Sequence, residues 1–212
     1  MEGPEISVLV DTAAWPDDAA RFLASLERHG GGHPVEVVAA DQAPGAGFGA
    51  AQNRALAEAS GGIVVLVDTS LELTGDLLGD LAAALDDDTV AVAGPFGLAT
   101  ENLCDYEERT AGDVAAVQGY CLAARRADLL AIGGVRERFT WYRNADIDLS
   151  LRLRTLGEPP VRRAVAAGAG HCTRHSHRAW DATPEADRGE LSRHNMGIVH
   201  EVFFDRKDLA VR

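Results

Sequence analysis

Short runs of apolar, largely β-branched residues alternate along the first half of the chain with segments whose apolar positions repeat at helical spacing. The runs are ISVLV (6–10), VEVVAA (35–40), IVVLV (63–67) and TVAVAG (89–94), and the intervening segments include DDAARFLASLERH, AAQNRALAEA and GDLLGDLAAAL. This alternation is typical of a parallel sheet covered by helices on both faces. It predicts an α/β fold with a mostly parallel central sheet, a fifth strand near 116–124 and a helix beginning near Asp146.

The alternation is lost after residue 170, where GELSRHNMGIVHEVFFDRK predicts a terminal helix. A chain of 212 residues with 46% apolar composition is long enough for one core and too short for two full domains. We therefore expect one domain over residues 1–180 and a C-terminal helical extension over 181–212. The extension can pack on its own domain or on a partner subunit, so a homodimer is one of two arrangements left open.

Composition and charge narrow the possible partners. The formal net charge of −13 argues against nucleic acid and anionic membranes, because both favour a basic face. No run of 18 apolar residues occurs, and the first residues, MEGPEISVLV, lack the basic and long apolar regions of a signal peptide. We therefore expect a cytoplasmic protein without an integral membrane segment. The three widely spaced cysteines, Cys104, Cys121 and Cys172, predict reduced thiols.

Polar residues follow the first three predicted strands. Asp11 and Thr12 come after the first, Asp41 after the second and Asp68 after the third. Open parallel sheets bind ligands outside the carboxyl ends of their strands. The sequence therefore predicts a ligand site at this edge, with a carboxylate from each strand end.

These segments resemble the family-2 glycosyltransferases, in which one strand ends in Pro-Thr-x-Asn, a second in Asp and a third in D-x-D. The corresponding stretches here are ISVLVDTAAWPDD, EVVAADQAP and GGIVVLVDTSLELTGDLL, and GAGFGAAQNRALAEASGG is similar to the family's G-F-x-x-A-x-N-x-G-L-x-x-A-x-G. The resemblance spans roughly residues 5–175. It implies a single-domain GT-A (Rossmann-like) fold. It also implies transfer of a sugar from a nucleoside diphosphate sugar, with UDP-sugar expected, to an acceptor hydroxyl with inversion.

The same resemblance implies donor-binding roles for residues at the strand ends. Asp41 would accept a hydrogen bond from the nucleobase, Thr12 would lie beside the base or ribose, and Asp11 lies on the same loop. Asn53 and Arg54 occupy the centre of the Gly-rich segment, and the guanidinium of Arg54 would pair with the diphosphate. The alternative is ordinary turn chemistry at the strand ends and a solvated helix arginine.

Asp68 opens D-T-S where the family has D-x-D. The resemblance makes Asp68 a ribose or metal ligand, whereas Ser70 replaces the carboxylate that would hold Mn²⁺ or Mg²⁺. A hydroxyl is a weak neutral ligand for a hard cation, so we expect weak or absent metal dependence. The family's histidine after the last core strand matches His171, which together with Asp68 gives the predicted metal residues.

The stretch FTWYRNADIDLSLRLRTLG (139–157) resembles the family's E-D-x-D-L-S-x-R-L-x-x-x-G. Matched residue by residue, Ala145 replaces Glu, Asp146 takes the position of the general base and Asp148 that of the following Asp. An inverting transfer needs such a carboxylate within reach of the acceptor hydroxyl. The alternative needs no catalysis, since Asn144 as an N-cap with acids in the first turn is a common helix start.

The basic residues near the C-terminal end of the resemblance form GHCTRHSHR (170–178), with three histidines spaced H-x-x-x-H-x-H. No paired Cys or H-E-x-x-H supports zinc. We expect His171, Arg174, His175 and Arg178 to form a cationic wall beside the diphosphate, with a surface loop as the alternative.

Three alternatives to a glycosyltransferase differ in how well they fit the sequence. Ser70 and Ala145 both remove acidic positions, as expected for a nucleotide-sugar-binding or scaffold protein that has kept the fold and lost catalysis. A Rossmann dehydrogenase is disfavoured because no G-x-G-x-x-G follows the first strand, and a nucleotidyltransferase because its Gly-rich, Lys-containing loop is absent.

Overall fold

The computed structural model describes residues 3–43, 45–157 and 160–212. The strands are β1 (Ile6–Val10), β2 (Val35–Ala39), β3 (Ile63–Val67), β4 (Leu71–Leu73), β5 (Val90–Gly94), β6 (Gly97–Ala99), β7 (Glu107–Arg109), β8 (Gly112–Val114), β9 (Ala116–Val117), β10 (Cys121–Arg125), β11 (Arg163–Ala166) and β12 (Cys172–Arg174). The α-helices are α1 (Pro16–His29), α2 (Phe48–Glu58), α3 (Leu77–Leu85), α4 (Arg126–Ala131), α5 (Ala145–Thr155), α6 (Arg178–Ala182) and α7 (Glu185–Phe203).

The central sheet has seven strands in the order β2-β1-β3-β10-β5-β11-β8. The strands β1, β2 and β3 pair in parallel, as do β5 and β11, whereas β10 and β8 are antiparallel to their neighbours. The predicted α/β fold with a mostly parallel sheet is confirmed. The single strand predicted near 116–124 is divided into β9 and β10 by a turn at residues 118–120, and β10 runs against β3.

Side chains alternate between the two faces of the sheet along every strand. Apolar side chains therefore lie on both faces, and helices cover both. Ile6, Val8 and Val10 of β1 share one core cluster with Phe22 of α1 and residues of α3. Leu9 of the same strand belongs to the opposite cluster, together with residues of α2, α5 and α7. The result is three layers, with the sheet between two layers of helices.

The terminal helix α7 packs against α5 of the same chain. Ile198, Val199 and Phe203 are buried in the core, and the Asn195 amide donates to the carbonyls of Trp141 and Arg143. The helical extension therefore covers its own domain and supports the loop that leads into α5. The predicted boundary between residues 180 and 181 falls within α6.

A buried arginine joins the end of the chain to the core. Arg154 of α5 is only 4% exposed and donates to the carbonyl oxygens of Ala115 at 2.8 Å, Leu209 at 2.7 Å and Arg162 at 3.0 Å. Burial lowers the pKa of its guanidinium to about 10, so the group stays charged at neutral pH. Three carbonyls from separate segments thus depend on one side chain.

None of the helices in the described part of the chain is long and apolar enough to cross a bilayer.

Candidate active site

A cavity of about 890 Å³ lies at the carboxyl ends of the parallel strands. Asp11 follows β1, Asp68 follows β3, Asp146 lies in the first turn of α5, and all three line the cavity. Ala40 and Gln42 line it beyond the end of β2. The strand ends therefore meet at one site, and Asp146 shares that site with them.

The cavity wall contains every tryptophan and every tyrosine of the chain. These residues are Trp15, Trp141, Trp180, Tyr106, Tyr120 and Tyr142. Trp141 and Trp180 stack with centroids 6.0 Å apart, and Tyr142 stacks on His177 at 4.4 Å. Aromatic rings of this kind present large rigid surfaces with a polar edge, which suits ring-shaped ligands such as bases and sugars.

Asp146 is held by backbone amides at the start of α5. Its Oδ2 accepts from Gly119 N at 2.8 Å and its Oδ1 from Ile147 N at 2.9 Å. Burial raises the pKa of this carboxyl above its ordinary value, although these two hydrogen bonds favour the ionised form. Asn144 does not cap the helix with its side chain: its backbone is left-handed (φ 66°) and its amide donates to Ser192.

Asp68 faces a histidine across the cavity wall. Its Oδ2 lies 3.4 Å from Nε2 of His177, while Oδ1 accepts from Ser70 N at 2.8 Å. The hydroxyl of Ser70 is buried and has no hydrogen-bond partner among the described residues. The histidine beside Asp68 is therefore His177, and the predicted His171 lies elsewhere.

Asp41 and Thr12 bind each other next to the cavity. The Asp41 carboxylate accepts from Thr12 N at 2.6 Å, from Ala13 N at 3.1 Å and from the Thr12 hydroxyl. Although burial favours the neutral acid, these hydrogen bonds keep the pKa of Asp41 below its ordinary value. Neither residue lines the cavity, and the adjacent Gln42 does. The contacts match the turn-chemistry alternative for this pair.

Asn53 and Arg54 also lie outside the cavity wall. The Asn53 side chain donates to the carbonyl of Val135 at 2.7 Å and accepts from its amide at 2.8 Å. The guanidinium of Arg54 donates to the Asp41 carbonyl oxygen. Both side chains thus tie α2 to neighbouring loops in this structure.

Asp148 is buried one turn into α5 rather than exposed to the cavity. Its carboxylate lies 3.2 Å from Arg152 and 3.4 Å from Arg136. Arg152 in turn donates to the carbonyls of Ile132 and Gly134. Of the two carboxylates predicted to be catalytic, the structure brings only Asp146 to the site.

The residues predicted to form a cationic wall do not line the cavity, because each faces a carboxylate outside it. The pairs are His171 with Asp80 at 2.7 Å, Arg174 with Glu108 at 2.7 Å, His175 with Glu72 at 2.8 Å and Arg178 with Asp18 at 2.7 Å. These contacts fasten residues 171–178 to the rest of the domain. In this structure the four side chains therefore contact carboxylates instead of facing the cavity.

Solved structures of sugar transferases share this architecture. GalNAc-T7 with UDP, GalNAc and Mn²⁺ matches 97% of this chain with a TM-score of 0.70 and 12% identity. The mannosyltransferase PcManGT from Pyrobaculum calidifontis, in complex with GDP-Man and Mn²⁺, matches 95% with a TM-score of 0.62 and 17% identity. The catalytic domain of Drosophila β1,4-galactosyltransferase 7 with xylobiose matches 89% with a TM-score of 0.58 and 17% identity.

The chain has the GT-A fold. It spans 50% of the GalNAc-T7 chain, 71% of PcManGT and 79% of the galactosyltransferase domain. No family model and no curated protein sequence matches it.

Two of the matched structures, those of GalNAc-T7 and PcManGT, contain Mn²⁺. Within residues 3–43, 45–157 and 160–212 no group of three or more His, Cys, Asp or Glu could hold an ion. Asp68 and His177 supply two donor atoms on the cavity. These two donors are fewer than the ligands that a divalent cation needs, so most of its coordination would have to come from other groups.

Sequence reasoning missed several residues that line this GT-A cavity. Gln42, Arg143 and His177 line the cavity but have no role in the predicted site, although His177 belongs to the histidine array and Arg143 lies three residues before Asp146. One feature of the composition indicates the aromatic part of the cavity wall: the few Trp and Tyr residues fall next to the expected motifs. No such signal separates His177 from His171.

Proposed function

We propose that the protein is an inverting, family-2-like glycosyltransferase that transfers a sugar from a nucleoside diphosphate sugar to an acceptor hydroxyl. The observation that carries the proposal is the shared cavity, in which Asp68 and His177 face the same space as Asp146. UDP is the expected nucleotide, with GDP as the comparison. A cytoplasmic location and a homodimer stay predictions from the sequence.

In this mechanism Asp146 acts as the general base. The acceptor oxygen forms a bond to the anomeric carbon as its proton passes to the Asp146 carboxylate, and the bond from that carbon to the diphosphate breaks. The nucleoside diphosphate leaves with the electron pair. The raised pKa of Asp146 makes it a stronger base than an ordinary aspartate, and its two amide hydrogen bonds fix its orientation.

A divalent cation, where bound, would be held by Asp68 and His177 and would neutralise charge on the diphosphate. The aromatic side chains exclude water and provide flat surfaces for the base and sugar rings.

The proposal is tested by titrating the protein with UDP- and GDP-sugars in a calorimeter and assaying the same donors for hydrolysis and transfer. We expect binding of at least one donor, together with slow hydrolysis in water and faster turnover with an acceptor. Binding without any hydrolysis or transfer would instead support the nucleotide-sugar-binding scaffold. Ala145, which replaces a family glutamate beside the base, is the observation that favours that second function.

We expect activity to survive EDTA. Asp68 and His177 provide only two ligands, and Ser70 supplies a buried hydroxyl in place of a carboxylate, so the site binds a hard cation weakly. The measurement compares initial rates in EDTA with rates in added Mn²⁺ or Mg²⁺, using the same donor. Complete loss in EDTA that Mn²⁺ restores would contradict this expectation.

A further inference from the structure

The charges on the cavity wall are unbalanced for a site that binds an anion. Four aspartates line it, whereas the only basic residues among its described lining are Arg143 and His177. The aspartates are Asp11, Asp68, Asp146 and Asp181. A diphosphate brought into this space is repelled by ionised carboxylates, so its binding depends strongly on the few cations present.

The other arginines near this edge are already engaged. Arg174 makes a bidentate contact with Glu108, and Arg178 contacts Asp18. None of these side chains lines the cavity. Of the two basic residues in the described lining, His177 faces Asp68, whereas Arg143 has no described carboxylate within ion-pair distance.

Arg143 is held by an aromatic contact instead. Its guanidinium carbon lies 4.8 Å from the ring centroid of Trp180, and Trp180 stacks on Trp141. Stacking on a ring orients the planar guanidinium while leaving its N–H groups available, and that fork matches two oxygens of a phosphate.

The contact with Trp180 places Arg143 next to the segment that carries His177. Trp180 lies in α6, three residues after His177, and His177 faces Asp68 beyond the end of β3. Arg143 also precedes α5 by two residues, so its charge lies near Asp146 and the Tyr120 and Tyr142 rings. Arg143 therefore lines the same cavity as the Asp68–His177 pair and Asp146.

We propose that Arg143 binds the diphosphate of the donor and stabilises the negative charge that develops on it as the sugar leaves. This inference rests on the proposed function. Arg143 is thus a binding residue for the leaving group, and its guanidinium supplies charge that the incomplete cation site lacks.

The test measures binding of inorganic pyrophosphate, UDP and uridine by calorimetry in EDTA. We expect Arg143→Gln to weaken pyrophosphate and UDP binding by about 10- to 100-fold and to leave uridine binding unchanged. Arg143→Lys is expected to recover part of the loss, because it keeps the charge without the fork.

Arg188→Gln is the matched control. Its guanidinium carbon also lies 5.0 Å from the Trp180 centroid, but its N–H groups donate to the carbonyls of Thr183 and Asp181 and it does not line the cavity. We expect this variant to bind all three ligands as the wild type does. An equal loss in both variants would mean that the arginines only support Trp180, and the proposal would be overturned.

Two further outcomes separate this inference from the proposed function. If the wild type binds a nucleoside diphosphate and Arg143→Gln binds it equally well, the role of Arg143 is refuted and the glycosyltransferase proposal stands. The same holds if Arg143→Gln raises only the KM for the acceptor. If the wild type binds no nucleoside diphosphate or diphosphate sugar, the proposed function itself fails.

Discussion

Asp146→Asn lowers kcat by about 10²- to 10⁴-fold and leaves donor affinity within a few fold of the wild type. The amide cannot accept the acceptor's proton, but it has nearly the same shape and its oxygen can still accept from Gly119 or Ile147. Binding is followed by calorimetry with UDP and turnover by release of the nucleoside diphosphate. Turnover comparable to that of the wild type would refute the assignment of Asp146 as the base.

The pH dependence of kcat/KM gives an independent test of Asp146 as the general base. Asp146 must be ionised to act as a base, and burial raises its pKa above the ordinary value of about 3.9. We therefore expect kcat/KM to fall as the pH drops through this raised pKa, and we expect Asp146→Asn to lose that acid limb. Asp187→Asn, at an exposed position of α7, is a control for the effect of the substitution itself.

Arg154→Met reduces the free energy of unfolding by about 3 kcal/mol, since it leaves the buried carbonyls of Ala115 and Leu209 and the partly buried carbonyl of Arg162 without a charged donor. For a chain of this length, that loss lowers Tm by about 6–12 °C. Thermal and urea unfolding followed by circular dichroism measure the change. The strongest local effect is expected where Leu209 joins the end of the chain to α5.

Arg163→Met is the control for Arg154→Met, because it removes an exposed arginine and not a buried one. This arginine contacts Asp113 and Asp87, but its side chain is 45% exposed, and exposed ion pairs contribute less than about 1 kcal/mol. We expect its Tm to stay close to that of the wild type. Equal destabilisation by the two substitutions would show that burial of Arg154 does not determine its contribution.

The fold could be predicted because its signal is local. Apolar runs such as those at 6–10 and 63–67 alternate with helical patterns. Each run locates one strand, and the end of the run locates the residues that follow that strand. The direction of β10 could not be predicted in this way, since it is set by the turn at 118–120 and by pairing with β3. Long-range pairing of this kind leaves no period in the sequence.

Long-range pairing also explains why the sequence predicts His171, and not His177, beside Asp68. β12 pairs antiparallel with β4, with Cys172 opposite Leu73 and Arg174 opposite Leu71. Moving forward along the chain after β12 therefore leads back toward Asp68, so His177 reaches it while His171 lies at the far end of β4. Asp68 and Asp146 could be predicted because they follow motifs, whereas His177 depends on a strand pairing between segments about 100 residues apart.

The concentration of all three tryptophans around one cavity gives the protein a built-in optical probe. Ultraviolet emission from Trp15, Trp141 and Trp180 originates entirely at that cavity wall, with no distant indole to contribute a constant background. Quenching or a wavelength shift on adding a small molecule thus reports occupancy directly, without a label or a coupled assay. Libraries of candidate sugars and acceptors can be screened by this intrinsic signal before any product is known.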